Sequence, residues 1–254
     1  MDVSSPFSAL RGSTAVVTGA ARGIGRQIAT VLQSIGMTVV LLDRDVEELE
    51  RTHAVMSAQG PAIALAADLS TDDSLPAITD TLAALPRLTA WVNNAGRVSH
   101  QAAEDVDLAE FEAVLRDNTA SALRGCQAAF RGMPGEGSIV NITSLVTEKV
   151  LPDRLSYATS KAAIENVTRY AAQEWGGRGL RVNAISPGYI DTRLTQWPDD
   201  DPRAIGKRAA IRATALGRAG TVDDVAHTVL YLCSPLASYV TGQVIFVDGG
   251  WHLT

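Results

Sequence analysis

Tyr157 and Lys161 stand four residues apart in Ser156-Tyr157-Ala158-Thr159-Ser160-Lys161, and Ser144 lies upstream. On a helix, positions i and i+4 share one face, so the phenol and the ammonium can point into one pocket. A free tyrosine titrates near about 10, too high for a base at neutrality. A neighbouring ammonium favours the phenolate and is expected to lower that value. The Ser144 hydroxyl can hold the oxygen of an alcohol or ketone. The trio reads as a proton-transfer site that needs a separate hydride carrier.

A place for such a carrier lies near the start of the chain. The β-rich run Thr14–Thr18 leads into Thr18-Gly19-Ala20-Ala21-Arg22-Gly23-Ile24-Gly25 and then a helical stretch from about Gly25 to Ile35. Glycines between a strand and a helix let the backbone approach a pyrophosphate held by the N–H groups of the helix N-terminus. The spacing is GxxxGxG rather than GxGxxG, so the strand and helix around it carry much of the inference. A plain structural turn is the alternative. Asp43 ends the next strand, where a carboxylate accepts hydrogen bonds from a ribose and repels a 2′-phosphate. That favours NAD over NADP, although Arg22 and Arg44 could each pair with such a phosphate.

The elements that must position these residues alternate along the chain. Strands are expected at Thr14–Thr18, Met37–Leu42, Ala62–Ala66, Thr89–Val92, Ser138–Ile142, Arg181–Ile185 and Val244–Val247, with helical patterns between them. The nearly all-apolar Met37–Leu42 run suits a strand covered on both faces. The alternation predicts an α/β fold with a doubly wound parallel sheet. Val222, Val225, Ala226, Val229, Leu230 and Cys233 form one amphipathic stripe, and Phe111, Val114, Leu115, Ala122, Cys126 and Ala129 another. Asn118 falls on the second stripe, either as a satisfied core amide or as a polar group of the active site.

Composition limits the alternatives. The 254 residues, 46% of them hydrophobic, suffice for one domain spanning 1–254. A net charge of −6 without a Lys/Arg block argues against nucleic acid. No apolar run is long enough to span a membrane, and Met1-Asp2-Val3-Ser4-Ser5-Pro6 does not resemble a signal peptide. Cys126 and Cys233 sit in apolar helical patterns as expected of buried, reduced thiols, in keeping with a cytoplasmic location. The four histidines show no ligand spacing, so no metal site is expected.

With the glycine loop, Asn93-Asn94-Ala95-Gly96, Ser144, Tyr157-xxx-Lys161 and Pro187-Gly188 in this order, residues 10–250 or so resemble the short-chain dehydrogenase/reductase family. The resemblance implies a Rossmann-like, seven-stranded parallel sheet, usually a homotetramer or else a homodimer, and hydride transfer between a nicotinamide cofactor and a CH–OH group. It makes Tyr157 the general acid/base, Ser144 the ligand of the reacting oxygen, and Lys161 the holder of the nicotinamide ribose. It assigns Asn118 to a water in the proton relay. The cofactor set it implies comprises Gly19, Arg22, Gly23, Ile24, Gly25, Asp43 and Arg44 around the loop, and Asp68 and Leu69 at the adenine. Asn94, Ala95 and Gly96 would line the adenosine side, with Pro187, Gly188, Ile190 and Thr192 around the nicotinamide. Tyr239-Val240-Thr241-Gly242-Gln243 and Val247-Asp248-Gly249-Gly250 match segments that commonly pack between subunits. One departure stands out: many members carry glycine three residues after the serine, and this chain has Thr147.

Val146, Arg154, Tyr189 and Trp197 are the candidate substrate-lining residues, and Arg193–Arg212 the candidate lid. Trp197 would cap a ligand, and a basic residue of Arg203, Lys207, Arg208 and Arg212 would meet an anion, unless these form a solvated face. The reading that follows is an NAD-dependent dehydrogenase of a small polyol, sugar or hydroxy-ketone. An NADPH-dependent reductase similar to 3-oxoacyl carrier-protein reductases is the alternative, and a non-catalytic binding protein the remote one.

Overall fold

A computed structural model of the chain describes residues 7–71, 73–192 and 201–254. Seven β-rich runs become β1 Thr14–Thr18, β2 Thr38–Asp43, β3 Ala62–Ala66, β4 Leu88–Asn93, β5 Gly137–Ile142, β6 Leu180–Pro187 and β7 Val244–Val247. They form one sheet in the order β3-β2-β1-β4-β5-β6-β7, and every pairing is parallel. Between them lie α1 Gly23–Ser34, α2 Val46–Ser57, α3 Leu75–Ala83, α4 Leu108–Leu115, α5 Ser121–Gly132, α6 Leu155–Trp175, α7 Pro202–Ala213 and α8 Val222–Cys233. This is the expected doubly wound α/β architecture.

Parallel strands need crossovers, and the crossover helices bury both faces of the sheet. Side chains alternate along each strand. Ala15, Val17, Val39 and Leu41 therefore pack with Ile28 and Leu32 of α1 and Val225 and Val229 of α8 on one face. Val16, Val40 and Leu42 point the other way, into the layer that holds Trp91, Cys126, Ala129 and Met133. Both cysteines are free and buried, and burial pushes each thiol up to about 12. No helix among the described residues is long and apolar enough to cross a membrane.

The strand order reverses between β1 and β4, and ligands of open α/β sheets bind beyond the carboxyl ends at such a switch point. β1 runs into the glycine loop there and β4 into Asn94-Ala95-Gly96. β5 runs to Ser144 and β6 to Gly188. Four motifs distant in sequence thus meet on one edge.

The predicted Phe111–Ala129 stripe is not one helix. A π-helical turn, Arg116–Ala120, separates α4 from α5, and its extra residue redirects the side chains at that point.

A buried polar chain ties the layers together behind this edge. Trp91 Nε1 donates to Asn93 Oδ1 (2.7 Å), Asn93 Nδ2 to Asn141 Oδ1 (2.8 Å), and Asn141 Nδ2 to Thr168 Oγ1 on α6 (2.8 Å). α5 approaches this chain at Gly125, where a Cβ would stand 2.0 Å from Asn93 Oδ1. Alanine normally favours a helix over glycine by about 1 kcal/mol, but here the overlap must be relieved at a cost of about 1–3 kcal/mol. Gly125→Ala is therefore expected to lower the denaturant midpoint without changing the m-value. A raised midpoint would show that the Trp91–Asn93 pair moves aside freely.

Candidate active site

The glycine loop is shaped by its contact with the end of β4. Asn94 Nδ2 donates to the carbonyls of Thr18 (3.0 Å) and Gly19 (3.1 Å). Thr18 Oγ1 in turn accepts from the amides of Asn94 (3.0 Å) and Ala95 (2.9 Å). Gly19 has φ +64°, and a Cβ there would lie 2.8 Å from Asn94 Nδ2. At Gly25 a Cβ would stand 2.2 Å from the Gly19 oxygen. Gly23 differs, because a Cβ there would meet nothing within 4 Å. Two glycines are thus required by packing, and the third, with φ +59°, borders open space at the N-terminus of α1, next to Arg22 and Ile24. A helix N-terminus of this kind suits a phosphate of a dinucleotide.

Beside it, Asp43 Oδ2 accepts from the Ala21 amide and Oδ1 from the Asp45 amide, both at 3.0 Å. The flanking arginines already have carboxylate partners: Arg22 lies 3.2 Å from Asp45 and Arg44 lies 3.5 Å from Asp68. Burial opposes ionisation of Asp68, but the Ser70 amide and hydroxyl and the Arg44 charge together lower its pKa. Arg124 donates to the Leu69 and Ser70 carbonyls at 3.1 Å each, fixing the turn after β3.

Tyr157, Ser160 and Lys161 lie in the first two turns of α6, and Ser144 caps the short 3₁₀ turn Leu145–Thr147. Ser144 Oγ accepts from the Val146 amide at 3.5 Å, and its hydroxyl is near enough to the Tyr157 phenol to favour the phenolate. Lys161 is buried (4% exposed) and donates to the Ile142 carbonyl at 2.9 Å. Its Nζ lies 5.7 Å from the Tyr157 ring centroid. The expected lowering of the tyrosine pKa by Lys161 is not the result. Burial pushes the Tyr157 phenol up, and this outweighs the opposing help of Ser144 and the Arg154 charge. Burial also brings Lys161 down to about 8. Desolvation penalises both charged forms, and the lysine directs its proton to a carbonyl rather than to the phenol.

Asn118 is fully buried on the π turn. Its Oδ1 accepts from the Arg97 amide (2.7 Å), and its Nδ2 donates to the Arg97 carbonyl (2.9 Å) and to Ser160 Oγ (2.9 Å). The side chain is thus a satisfied core amide within the site. It joins the Gly96–Arg97 segment to α6, and a Cβ on Gly96 would stand 2.8 Å from its Oδ1 and 3.6 Å from Lys161 Nζ.

A cavity of about 100 Å³ opens next to Ser144, between Val146, Pro187, Gly188 and Tyr189. Gly188 closes against Asp248, with 2.7 Å between the Asp248 Cβ and a Cβ at that position. Ile190 is buried and bridges to Gly220, and Thr192 follows it. Lys207 Nζ lies 3.0 Å from Asp191 and 5.6 Å from the Tyr189 ring centroid. Arg154 does not line this cavity; it stands near Tyr157 with its guanidinium against His100 Nδ1. Trp197 and most of the predicted lid before α7 lie outside the described residues.

Comparison with known proteins is consistent from end to end. A family model described as enoyl-(acyl carrier protein) reductase matches residues 19–252. The chain is 35% identical to 3beta-hydroxysteroid dehydrogenase 1 of Eggerthella lenta, over 97% of this chain and 96% of that one. It is 34% identical to galactitol 2-dehydrogenase (L-tagatose-forming) of Cereibacter sphaeroides, over 95% and 96% of the two chains. A Beutenbergia cavernae structure provisionally named an NAD(P)-dependent gluconate 5-dehydrogenase, with NADP bound at low occupancy, superposes with TM-score 0.88. That pair shares 38% identity over 98% of this chain and 100% of the other. The chain belongs to the short-chain dehydrogenase/reductase family.

As a short-chain dehydrogenase/reductase it is an NAD(P)-dependent oxidoreductase acting on hydroxyl groups. The fold brings the glycine loop, Asn94, Asn118, Ser144, Tyr157, Lys161 and Gly188 to one edge, while Arg154 stands off the cavity. Sequence reasoning missed Trp251 and Leu151, which also line the cavity. Trp251 follows Gly250, whose φ of +81° turns the chain after β7 back toward Ser144. The Gly249-Gly250 pair is the available signal, but the family resemblance ties it only to contacts between subunits. Because burial dominates at Tyr157, its phenol in the cofactor-free protein is expected to titrate above the ordinary tyrosine value of about 10. Alkaline absorbance titration of the wild type minus Tyr157→Phe reads this group alone. A step below that ordinary value would show that nearby cations outweigh burial.

Proposed function

We propose that the protein is an NAD-dependent dehydrogenase of a small polyol, sugar or hydroxy-ketone, with Tyr157 as general acid/base. The observation that carries the reading is the meeting of Ser144, Tyr157 and the buried Lys161, whose Nζ lies 5.7 Å from the Tyr157 ring centroid, beside a cavity of about 100 Å³ that Ser144 lines. A bound nicotinamide cofactor would accept or supply the hydride. Gly19, Gly23, Gly25 and the α1 N-terminus fit its phosphates, with Arg22 and Ile24 alongside. Asp43 suits a ribose, Asp68 and Leu69 the adenine, and Asn94, Ala95 and Gly96 the adenosine side. Lys161 faces the second ribose, and Pro187, Gly188, Ile190 and Thr192 the nicotinamide.

The protein's own groups handle the proton. Ser144 donates to the substrate oxygen and fixes its position. Tyr157 takes the hydroxyl proton in oxidation and returns it in reduction, help worth about 10² to 10⁴ in rate. Asn118 holds Ser160 and the Gly96–Arg97 segment in place around Lys161. A cavity of that size, bordered by the Ser144 and Lys149 side chains and by Trp251, suits a short polyhydroxylated chain. Support for NAD comes from charge: three carboxylates, Asp43, Asp45 and Asp68, share this corner with Arg22 and Arg44, and both arginines are paired. A 2′-phosphate would have to compete with those pairs.

The same reading places the enzyme in the cytoplasm as a homotetramer. The reduced, buried cysteines support the first. The apolar groove with Leu123, Val167 and Tyr170 on α5 and α6, and the exposed Tyr239 before β7, support the second.

A panel of secondary alcohols with NAD⁺ and NADP⁺, read as cofactor reduction, tests the assignment. Turnover of small polyols with NAD⁺ is expected, and Tyr157→Phe should lower kcat by about 10²-fold or more while cofactor still binds. Near-normal kcat in Tyr157→Phe would remove Tyr157 from the mechanism. Asp43→Ser should erode the preference for NAD⁺, measured as the ratio of kcat/KM values. A wild-type preference for NADPH with 3-oxoacyl thioesters would replace this reading with the carrier-protein reductase one, and no turnover on any alcohol or ketone would favour a binding role.

A further inference from the structure

Thr147 lies in the turn that Ser144 caps, and its hydroxyl makes two contacts. Thr147 Oγ1 lies 3.1 Å from the Ser144 carbonyl oxygen and 2.8 Å from Glu165 Oε1. Glu165 is four residues beyond Lys161 and eight beyond Tyr157, so all three share one face of α6. It is buried, with 5% of its surface exposed. The Ser144 carbonyl also accepts from the Thr147 amide at 3.2 Å.

A hydroxyl has one proton to donate. Against an ionised Glu165, Thr147 must share that proton between a carboxylate and a carbonyl. Against a neutral Glu165 nothing is shared: the carboxyl donates to Thr147 Oγ1 and the hydroxyl donates to the Ser144 carbonyl. We propose that Thr147 and Glu165 are positioning residues, forming a proton-dependent latch from α6 to the Ser144 backbone that holds the Ser144 hydroxyl against Tyr157. The latch rests on the proposed role of Ser144 in holding the substrate oxygen.

Charges of both signs face Glu165. Arg169 on its own helix lies 3.5 Å from Oε2, and Glu148 faces it from the turn after Thr147. Burial first, and Glu148 to a lesser degree, raise the Glu165 carboxyl above the ordinary range, against the opposing pull of Thr147 and Arg169. The carboxyl is therefore neutral at low pH and ionises as pH rises through that raised value, which loosens the latch. Glu165→Gln cannot ionise, and its amide still donates to Thr147.

The test uses the full chain, NAD⁺ and whichever polyol of the panel turns over fastest. Thr147→Val should lower kcat by about 10- to 100-fold, as expected for a misplaced catalytic group, with the KM for NAD⁺ unchanged; Thr147→Ser should restore it. The kcat ratio of Glu165→Gln to wild type should climb with pH, since the titration of Tyr157 cancels in the ratio. Amide exchange across residues 143–149 gives an arm independent of turnover: Thr147→Val should exchange faster than wild type, and Glu165→Gln should be the more protected as pH rises. Wild-type kcat and exchange in Thr147→Val, with a flat ratio for Glu165→Gln, would overturn the latch while a dead Ser144→Ala left the role of Ser144 standing. If Ser144→Ala retained full kcat, the role of Ser144 would fail and the exchange arm alone would decide the latch.

Discussion

The Asn94 carboxamide, bonded to the carbonyls of Thr18 and Gly19, is the contact on which the rest of the site depends. β1 and β4 diverge at the switch point, and nothing in the sheet ladder itself joins them beyond their last paired residues. Asn94 spans that gap from one side while Thr18 Oγ1 spans it from the other, accepting two amides of the Asn94-Ala95 segment. The contact is close enough to exclude side chains at Gly19 and Gly25. It therefore fixes the entry to α1, the open space at Gly23, and the path of Gly96 beneath Lys161. One side chain couples the cofactor half of the edge to the proton-transfer half.

The electrostatics follow from how deeply that edge is enclosed. A lysine at about 8 and a tyrosine above its ordinary value are each less charged than they would be in water. Both shifts have burial as their first cause, so they report the same low-polarity surroundings. Such surroundings strengthen every interaction with a charge that forms during reaction. At neutral pH the phenol is therefore uncharged, while Lys161 stays mostly protonated with the Ile142 carbonyl as its partner. Where carboxylates and guanidinia do gather, at Asp43, Asp45 and Asp68 with Arg22 and Arg44, the groups are partly exposed and both arginines are paired.

The scaffold is legible in the sequence because each strand is a short, mostly apolar run separated from the next by a helical pattern. β1, β3 and β7 begin and end where the sequence pattern places them, and the other strands differ at their ends by a residue or two. The candidate catalytic trio is legible because helical spacing alone puts Tyr157 and Lys161 on one face. Asn118 is visible as a polar residue on an apolar stripe. Its π turn is not, since an inserted residue leaves the hydrophobic pattern of Phe111–Ala129 nearly intact. The direction of the Tyr157 shift escapes the sequence for a related reason: spacing shows which charges are near but not how much water is left around them. Thr147 shows only as an absent glycine, and its partner Glu165 lies on another element.

The two halves of the edge thus differ in how they are built. Cofactor-side contacts come from backbone atoms and short motifs at strand ends, where glycine and asparagine have few substitutes. The substrate side draws on Ser144 after β5, Tyr189 after β6 and Trp251 after β7, brought together by three separate turns. The turn at Ser144 is tied directly to α6, through Thr147 and Glu165. In the proposed reading the reacting oxygen is held by this tied turn, whereas the wall that would meet the rest of the substrate is carried by Tyr189 and Trp251. On that reading, substitutions there would alter which alcohol is accepted and spare the proton transfer, because Ser144 and Tyr157 take their positions from β5 and α6 rather than from the turns after β6 and β7.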